Sequence, residues 1–443
     1  MIHGRSAALP DMMRFIEHPE RRQVVGEMHL RRFPRLALPT QAIQLARLLD
    51  ADEREAEAAA LAVCPVPTQA DGARHLEGHW SDDIRMAWER HSEASTITLT
   101  FTGDAAQPLV WTHPDDDPRA AAIRWVEALP GRVIRATHVM MVADDIAAAP
   151  LVDSAGFRAS HLVSCHVAGG ARVWGDFRIH DDGYGRLVVA ANGLAAGDVA
   201  RCVQRLQELG NYRNMALLGL PVAQAGWAAL SRMEGQLEQT AQFLQGGAQR
   251  DDALLAQLSA QTATLLALAG DCDFRLSATA AYARIVTDRL DELDARPIAG
   301  FQSLPDFVGR RFHPAMRTCM AFSGRLHLLG ERTAQFTALL RTRIETHIEN
   351  QNAHLLASMD RSARMQLRLQ HLVEGLSAVA ISYYALGLLS YTLKAVEKLT
   401  PGFSATLVLG VAAPMLIATV YVMMGRVRRR LVAGDDAHGD EGA

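Results

Sequence analysis

Residues 375–393, GLSAVAISYYALGLLSYTL, are the most informative stretch of this chain, because they include no charged side chain. As a helix this stretch is about 28 Å long, close to the ~30 Å hydrocarbon thickness of a bilayer. A second uncharged stretch, GFSATLVLGVAAPMLIATVYVMMG, covers residues 402–425. Helices of a soluble core alternate polar and apolar faces, and neither stretch does so. The sequence therefore predicts a hairpin of two transmembrane helices, and a buried helical hairpin is the alternative.

Basic residues flank this hairpin on its two outer sides. They are Arg361, Arg364, Arg368, Arg426, Arg428, Arg429 and Arg430. The connection between the two stretches, KAVEKLTP, carries two lysines against one glutamate. Because lysine and arginine accumulate on the cytoplasmic side of a membrane, both termini are predicted to lie in the cytoplasm.

Polar residues form a stripe in the first stretch. Ser377, Tyr384 and Tyr391 recur every seven residues, with Ala380 and Gly387 beside them. Positions seven apart share one helical face. Since lipid cannot satisfy hydroxyl groups, this face is expected to meet protein. Two interpretations stay open: a helix–helix contact, and the lining of a pore on a symmetry axis.

The composition excludes two broad classes of protein. The 443 residues include 45 basic and 49 acidic side chains, and 49% are hydrophobic. A nucleic-acid-binding domain would carry a basic excess, and a disordered chain would lack the apolar residues of a core. We therefore expect a folded protein of two or three domains with no nucleic-acid partner.

The cysteines and the N-terminus indicate that the main body is not exported. Five cysteines are scattered without a Cys-x-x-Cys pair, which is unlike a metal site or a disulfide framework. The first residues, MIHGRSAALPDMMRFIEHPERR, contain no apolar run. No signal peptide is predicted, and a reduced cytoplasmic location fits best.

The remaining patterns divide the chain into four parts. Residues 1–221 mix strand and helix signals and predict an α+β or α/β cytoplasmic domain, with a last helix that Pro221 ends. Residues 222–373 predict a helical domain, residues 374–426 the hairpin, and residues 427–443 a basic and then acidic cytoplasmic tail. The predicted strands cover residues 94–101, 133–142, 161–168, 171–179 and 187–191.

The helical domain is predicted to end in a long stalk helix that continues into the hairpin. Breaks are expected at residues 246–247, at Gly270 and across residues 297–305, and the last helix is expected to begin near Pro314. Apolar residues then recur in steps of four and seven, at Leu329, Phe336, Leu340, Ile344, Ile348, Leu355 and Met359. This spacing is typical of a coiled coil or bundle, so a homo-oligomer is expected.

Few residues indicate chemistry. Nucleotide-binding glycine loops and the common hydrolase motifs are absent, and no catalytic residue is predicted. Residues 88–93, WERHSE, mix acid and base groups just before a strand, and structural hydrogen bonding is the favoured interpretation. Acidic pairs and two histidines are weak metal candidates, and solvated turns or polar contacts are the favoured alternative. These candidates are Asp115, Asp116, Asp144, Asp145, Asp181, Asp182, His347 and His354. A divalent cation is the one cofactor that they allow, and none is required.

Several segments together resemble a known family. In chain order they are EHPERRQVVGEMHLRRFP, WERHSEASTITLTF, RLQELGNYRNMALLGLP, GRRFHPAMRTC, LLRTRIETHIENQN, LLASMDRSARMQLRLQ and VEGLSAVAISYY. The chain resembles the bacterial membrane-anchored proteins of unknown function, domain-of-unknown-function family 3422. It departs from their pattern at Gly210-Asn211 and at Ser92. The resemblance implies an inner-membrane protein and no established activity.

A second resemblance is architectural. A cytoplasmic α/β domain, a long stalk helix and a two-span hairpin look like the CorA-type metal-ion transporters, which form rings around a pore. Their Gly-Met-Asn signature should close the first span, whereas this chain has Ser390-Tyr391-Thr392 followed by Lys394. A lysine ring would repel cations, so magnesium transport is not expected. Two function classes remain: a CorA-like ion channel or transporter, and a membrane-tethered scaffold or adaptor without transport activity.

Overall fold

The computed structural model describes residues 18–21, 37–64, 68–70, 74–102, 109–246, 250–399 and 404–435. The chain divides into two units, Met1–Thr337 and Ala338–Ala443. The first segment of the family resemblance, EHPERRQVVGEMHLRRFP, is residues 17–34, and most of it lies outside the described residues. The side chains of Arg428, Arg429 and Arg430 also lie outside them. The predicted division at residues 221–222 falls inside the first unit.

The first unit contains a sheet with ten described strands. Their spatial order is β10-β7-β8-β9-β6-β1-β5-β4-β3-β2, and all neighbours are antiparallel except β6 and β9. The strands are β1 (Thr40–Leu48), β2 (Thr68–Ala70), β3 (His75–Ser81), β4 (Ile84–Arg90), β5 (Ala94–Phe101), β6 (Arg132–Val142), β7 (Val163–Val167), β8 (Ala171–Gly175), β9 (Gly185–Ala190) and β10 (Arg296–Pro297).

Helices connect and follow these strands. They are α1 (Ala51–Ala62), α2 (Pro118–Glu127), α3 (Asp145–Ser154), α4 (Ala196–Leu217), α5 (Gly219–Gly246), α6 (Asp251–Glu292), α7 (Leu304–Leu399) and α8 (Ala405–Asp435). Asp50, Asp117 and Asp144 begin the first three, because each side chain accepts a hydrogen bond from a backbone N–H of the first turn.

Strand β5 shows why the two faces of the sheet differ. Its sequence ASTITLTF alternates, and alternate side chains of a strand point to opposite faces. Ile97, Leu99 and Phe101 join a core with Ala122 and Val126 of α2. The three threonines of β5 therefore lie on the other face.

The sequence predicted five of the ten described strands. Residues 94–101 form β5 as expected, and the other four predicted strands overlap β6, β7, β8 and β9. The prediction missed β1 to β4 and β10. The coarse class is confirmed: an α/β sheet domain is followed by long helices.

Three predicted helix boundaries were wrong. Pro221 lies in the first turn of α5, where proline needs no backbone N–H, so α4 ends earlier, at Leu217. Gly270 does not interrupt α6, because buried residues on both sides, Leu265 and Cys272, keep the helix packed. Pro314 lies inside α7 rather than at its start. A proline inside a helix costs about 3 kcal/mol, because a hydrogen bond is lost and the ring clashes with the preceding turn. Buried residues after Pro314 keep the helix packed and offset this cost.

Three described helices are long and apolar enough to cross a membrane, judged by length and composition alone. They are Asp251–Glu292, Leu304–Leu399 and Ala405–Arg426. In the first, Leu254, Leu258 and Leu265 are buried at helical spacing, which is the pattern of a core helix. The most apolar stretch of the last helix contains no buried residue.

Candidate functional site

The face of the sheet that carries the β5 threonines is unusually polar. Two rows of directly opposed residues cross strands β3, β4, β5, β1 and β6 in that order. The first row is His75, Glu89, Thr96, Ala46 and Arg135, and the second is Glu77, Ala87, Thr98, Gln44 and Thr137. A sheet face that a helix covers is normally apolar, because a buried polar group costs free energy unless it is hydrogen-bonded.

Helix α4 covers this polar face with polar side chains of its own. Gln207, Asn211 and Met215 recur every four residues and are buried. They border a cavity of about 80 Å³ between the helix and the sheet. We call this space the polar cleft. It is lined by Gln44, Ala46, His75, Glu77, Ala87, Glu89, His91, Ala94, Thr96, Thr98, Thr100, Gln204, Gln207, Glu208, Asn211, Tyr212 and Met215.

A chain of hydrogen bonds fixes the inner side chains of the cleft. Asn211 Nδ2 donates to Gln44 Oε1 over 2.9 Å, and Gln44 Nε2 donates to Thr98 Oγ1 over 3.0 Å. Arg135 Nη1 donates to Asn211 Oδ1 over 3.1 Å and also to Gln207 Oε1. Each side chain is therefore held in one orientation by its neighbours, as in a preformed binding site.

Two buried nitrogen atoms of the cleft have no hydrogen-bond partner among the described residues. They are Gln207 Nε2 and His75 Nδ1. The other ring nitrogen of His75 lies 3.0 Å from Glu77 Oε1. Buried polar atoms of this kind are usually satisfied by water or a ligand, and the cavity is large enough for several water molecules.

Ion pairs and aromatic rings surround the cleft on its helical side. Glu93 accepts two hydrogen bonds from Arg275 of α6, at 2.6 and 2.9 Å. Burial and the neighbouring Glu93 raise the pKa of Tyr282. The ring centroids of Tyr282 and Tyr212 lie 5.7 Å apart, and His91 meets Tyr212 edge-on. These contacts join helices α4 and α6 to the segment after β4.

This arrangement suits the binding of a small polar molecule. Amide, hydroxyl, imidazole and carboxylate groups converge on one cavity, as in many small-molecule sites. In the part of the chain that the structure describes, no three His, Cys, Asp or Glu side chains come together as metal ligands. The amide, hydroxyl, imidazole and carboxylate groups of the cleft indicate hydrogen-bonded recognition.

Sequence analysis singled out one segment of this site and missed the rest. Glu89 and His91 of the 88–93 segment line the cleft, and Glu93 beside it is hydrogen-bonded to Arg275. Side-chain hydrogen bonding, the favoured interpretation, is present at His91 and Glu93. Gln44 and Asn211 were missed, because a single glutamine or asparagine carries no signal in a sequence.

None of the predicted metal candidates lines the cleft, and four of them have other roles. Asp115 pairs with Arg124 and Asp145 with Arg172, while Asp144 caps α3. Asp182 forms an ion pair with Arg186 at 2.6 Å. The remaining four, Asp116, Asp181, His347 and His354, are exposed.

In the second unit the hairpin residues are mostly exposed. Tyr384 and Tyr391 are 71% and 77% exposed, whereas Ser382 is buried. Ala380 is exposed, and Ser377 and Gly387 are half-buried. Of the flanking basic residues, Arg364 pairs with Asp360 at 2.7 Å, and Arg368 and Arg426 are exposed.

The fold and the site define a protein with an α/β domain, a polar cleft and long helices with apolar ends. Residues 16–431 match the family model described as Protein of unknown function (DUF3422), and the chain belongs to that family. No curated protein and no solved structure matches the chain. The resemblance to CorA-type transporters rests on the order of an α/β domain, a long helix and a hairpin in the sequence.

Proposed function

We propose that this protein is anchored in the bacterial inner membrane by its C-terminal hairpin and presents the α/β domain to the cytoplasm. The observation that carries the proposal is the exposed apolar surface of α8, whose most apolar stretch contains no buried residue. Leu407, Val411 and Met415 are all exposed there. In water such a surface is unfavourable by roughly 25 cal/mol per Å² of apolar area, and in lipid it is not.

The orientation follows from charge. The exposed Arg368 and Arg426 lie at the outer ends of the two apolar stretches, and more arginines continue from each. We therefore expect these ends in the cytoplasm and the short connection near Lys398 on the opposite side of the membrane.

Cysteine labelling tests both anchoring and orientation. In a Cys64→Ser background, Lys398→Cys and Arg364→Cys are treated in spheroplasts with a membrane-impermeant thiol reagent. We expect labelling of Lys398→Cys in intact spheroplasts, and of Arg364→Cys only after lysis. The full chain should also stay with the membrane in alkaline carbonate. Release by carbonate overturns anchoring, and the reverse labelling pattern overturns the orientation.

We further propose that the protein is a homo-oligomer, assembled through the part of α7 in the second unit. Ile348, Leu355 and Met359 lie at steps of seven and four and are exposed in the single chain. An exposed stripe with this spacing is the seam of a coiled coil, so the partner that fits it is a second copy of the same helix.

Ion conduction is the second candidate function, and the exposed tyrosines favour it. Tyr384 and Tyr391 share a helical face and lie uncovered in the single chain. In a ring of subunits this face lines an axial path. In reconstituted vesicles, Tyr384→Ala should change ion flux without preventing assembly, whereas the control Tyr383→Ala should not change it. Absence of flux through the wild-type protein overturns conduction, and equal flux through all three proteins overturns the role of Tyr384 in lining the path.

A scaffold or adaptor role is the competing proposal. It predicts that an unrelated two-span hairpin can replace residues 374–426 without loss of the cellular phenotype. Loss of the phenotype with the exchanged hairpin, while the protein stays in the membrane, contradicts the scaffold role.

A further inference from the structure

A second pocket of the α/β domain is surrounded by arginines. It lies where the parallel strands β6 and β9 meet the C-terminal part of α4, and its volume is about 150 Å³. Arg135, Arg178, Arg186 and Arg213 line it, together with uncharged residues of segments 133–137, 177–187 and 214. We call this space the arginine pocket.

Only one of these four arginines has an acidic partner within the described part of the chain. Arg186 pairs with Asp182 at 2.6 Å. Arg135 donates to the amide oxygens of Gln207 and Asn211, which are neutral. Arg178 Nη1 lies 3.5 Å from a ring nitrogen of His161.

Among the residues that the structure describes, Arg213 contacts only neutral groups. Its Nε and Nη2 lie 3.4 and 3.2 Å from Oδ1 of the adjacent Asn214. Its guanidinium carbon stands 5.0 Å from the ring centroid of Phe177. An amide oxygen and an aromatic face orient a guanidinium but do not neutralise it.

The two positive charges of Arg135 and Arg213 act on each other. Burial and the charge of Arg213 lower the pKa of Arg135 to about 9. Burial lowers the pKa of Arg213 to about 10. Both groups remain protonated at neutral pH, so the pocket holds two partly desolvated cations next to an open space. Such a pair is unfavourable until an anion compensates it.

The backbone of α4 accommodates this arrangement. Gly210 lies inside the helix, and a Cβ atom there would overlap the guanidinium of Arg135. A glycine inside a helix costs about 1 kcal/mol relative to alanine. The glycine therefore leaves room for the Arg135 guanidinium at a cost in helix stability.

We propose that the arginine pocket binds a phosphate group, either free or on a small phosphorylated molecule. A phosphate dianion carries two negative charges and so matches the pair of Arg135 and Arg213, whereas a carboxylate carries only one negative charge. Guanidinium groups bind phosphate oxygens through paired N–H donors, and these two converge on one pocket from β6 and from α4. This inference does not depend on anchoring or on conduction.

Calorimetry of the full chain in a non-ionic detergent tests the proposal, with inorganic phosphate, glycerol phosphate and acetate as probes at equal ionic strength. We expect one phosphate site per chain and at least tenfold weaker binding of phosphate by Arg213→Gln. The matched control is Arg201→Gln, on the same helix, because Arg201 is exposed and already pairs with Asp198. Acetate should bind far more weakly than phosphate.

The remaining outcomes are also decisive. Tighter binding of glycerol phosphate than of phosphate assigns the site to a phosphorylated molecule, and the reverse order assigns it to the free ion. Arg135→Gln should show the same loss and replaces Arg213→Gln if that variant does not fold. Absence of binding by either phosphate probe, or equal binding by both pocket variants and the control, overturns the proposal.

Discussion

We expect His138 to make the α/β domain sensitive to acid. It lies on β6 with its side chain on the apolar face of the sheet, is 4% exposed and packs on Tyr184 with ring centroids 4.2 Å apart. Burial lowers the pKa of His138 from 6.5 to about 4. Below about pH 6.5 the unfolded chain therefore binds a proton at His138 that the folded domain does not bind. The free energy of unfolding consequently decreases as the pH falls from about 6.5 to about 4.

The prediction is that His138→Phe removes much of this acid sensitivity. At about 1.4 kcal/mol for each unit of pKa, the histidine accounts for up to about 3 kcal/mol between neutral pH and pH 4. Phenylalanine keeps the contact with Tyr184 and has no proton to bind. Melting temperatures between pH 7 and about pH 4.5 measure the difference. The control is His79→Phe at an exposed position, and parallel pH profiles for all three proteins would contradict the prediction.

At the scale of one element, substitutions at two glycines of α5 distinguish the effect of helix propensity on stability from the effect of packing. A Cβ at Gly226 would overlap the ring of Phe322, which is fully buried in α7, whereas a Cβ at Gly235 would meet nothing within 4 Å. Gly226→Ala should therefore destabilise the first unit by roughly 1–3 kcal/mol through overpacking. Gly235→Ala should stabilise it by up to about 1 kcal/mol through helix propensity. Thermal unfolding followed by circular dichroism compares the two variants, and shifts of equal sign would refute the packing argument.

The same elements show what a sequence can predict and what it cannot. The alternation of β5 is local, so both its bounds and its polar face could be predicted. The polar cleft could not, because it depends on register: Gln44 meets Thr98 only through the pairing of β1 with β5. Asn211 joins them only because α4 crosses that face. Nor could Pro314 be recognised as a helix-interior residue, since what outweighs its cost is tertiary burial.

At the scale of the whole molecule, the two uncharged stretches were the strongest signal in the sequence. Over the residues that the structure describes, both form helices, and most of their large side chains are exposed. The arginine pocket left no such signal, because Arg135 and Arg213 lie far apart in the chain and meet only through the packing of α4 beside β6. Long apolar helices are specified by composition alone, whereas a charge without a partner is a property of the folded chain.

Self-association through α7 is the prediction that decides between the function classes. Ile348→Lys with Leu355→Lys places two charges on the apolar stripe and should reduce the mass of the detergent-solubilised complex, because a coiled-coil seam does not accept them. Asn350→Lys with Ala357→Lys adds the same charge at the same spacing on another face and should leave the mass unchanged. Light scattering with and without divalent cations measures all three proteins. A wild-type ring of several subunits would place Tyr384 and Tyr391 near a symmetry axis and support conduction. A wild-type monomer contradicts the predicted seam, and a dimer leaves no axial path, so either result directs the search to partners of a tethered domain.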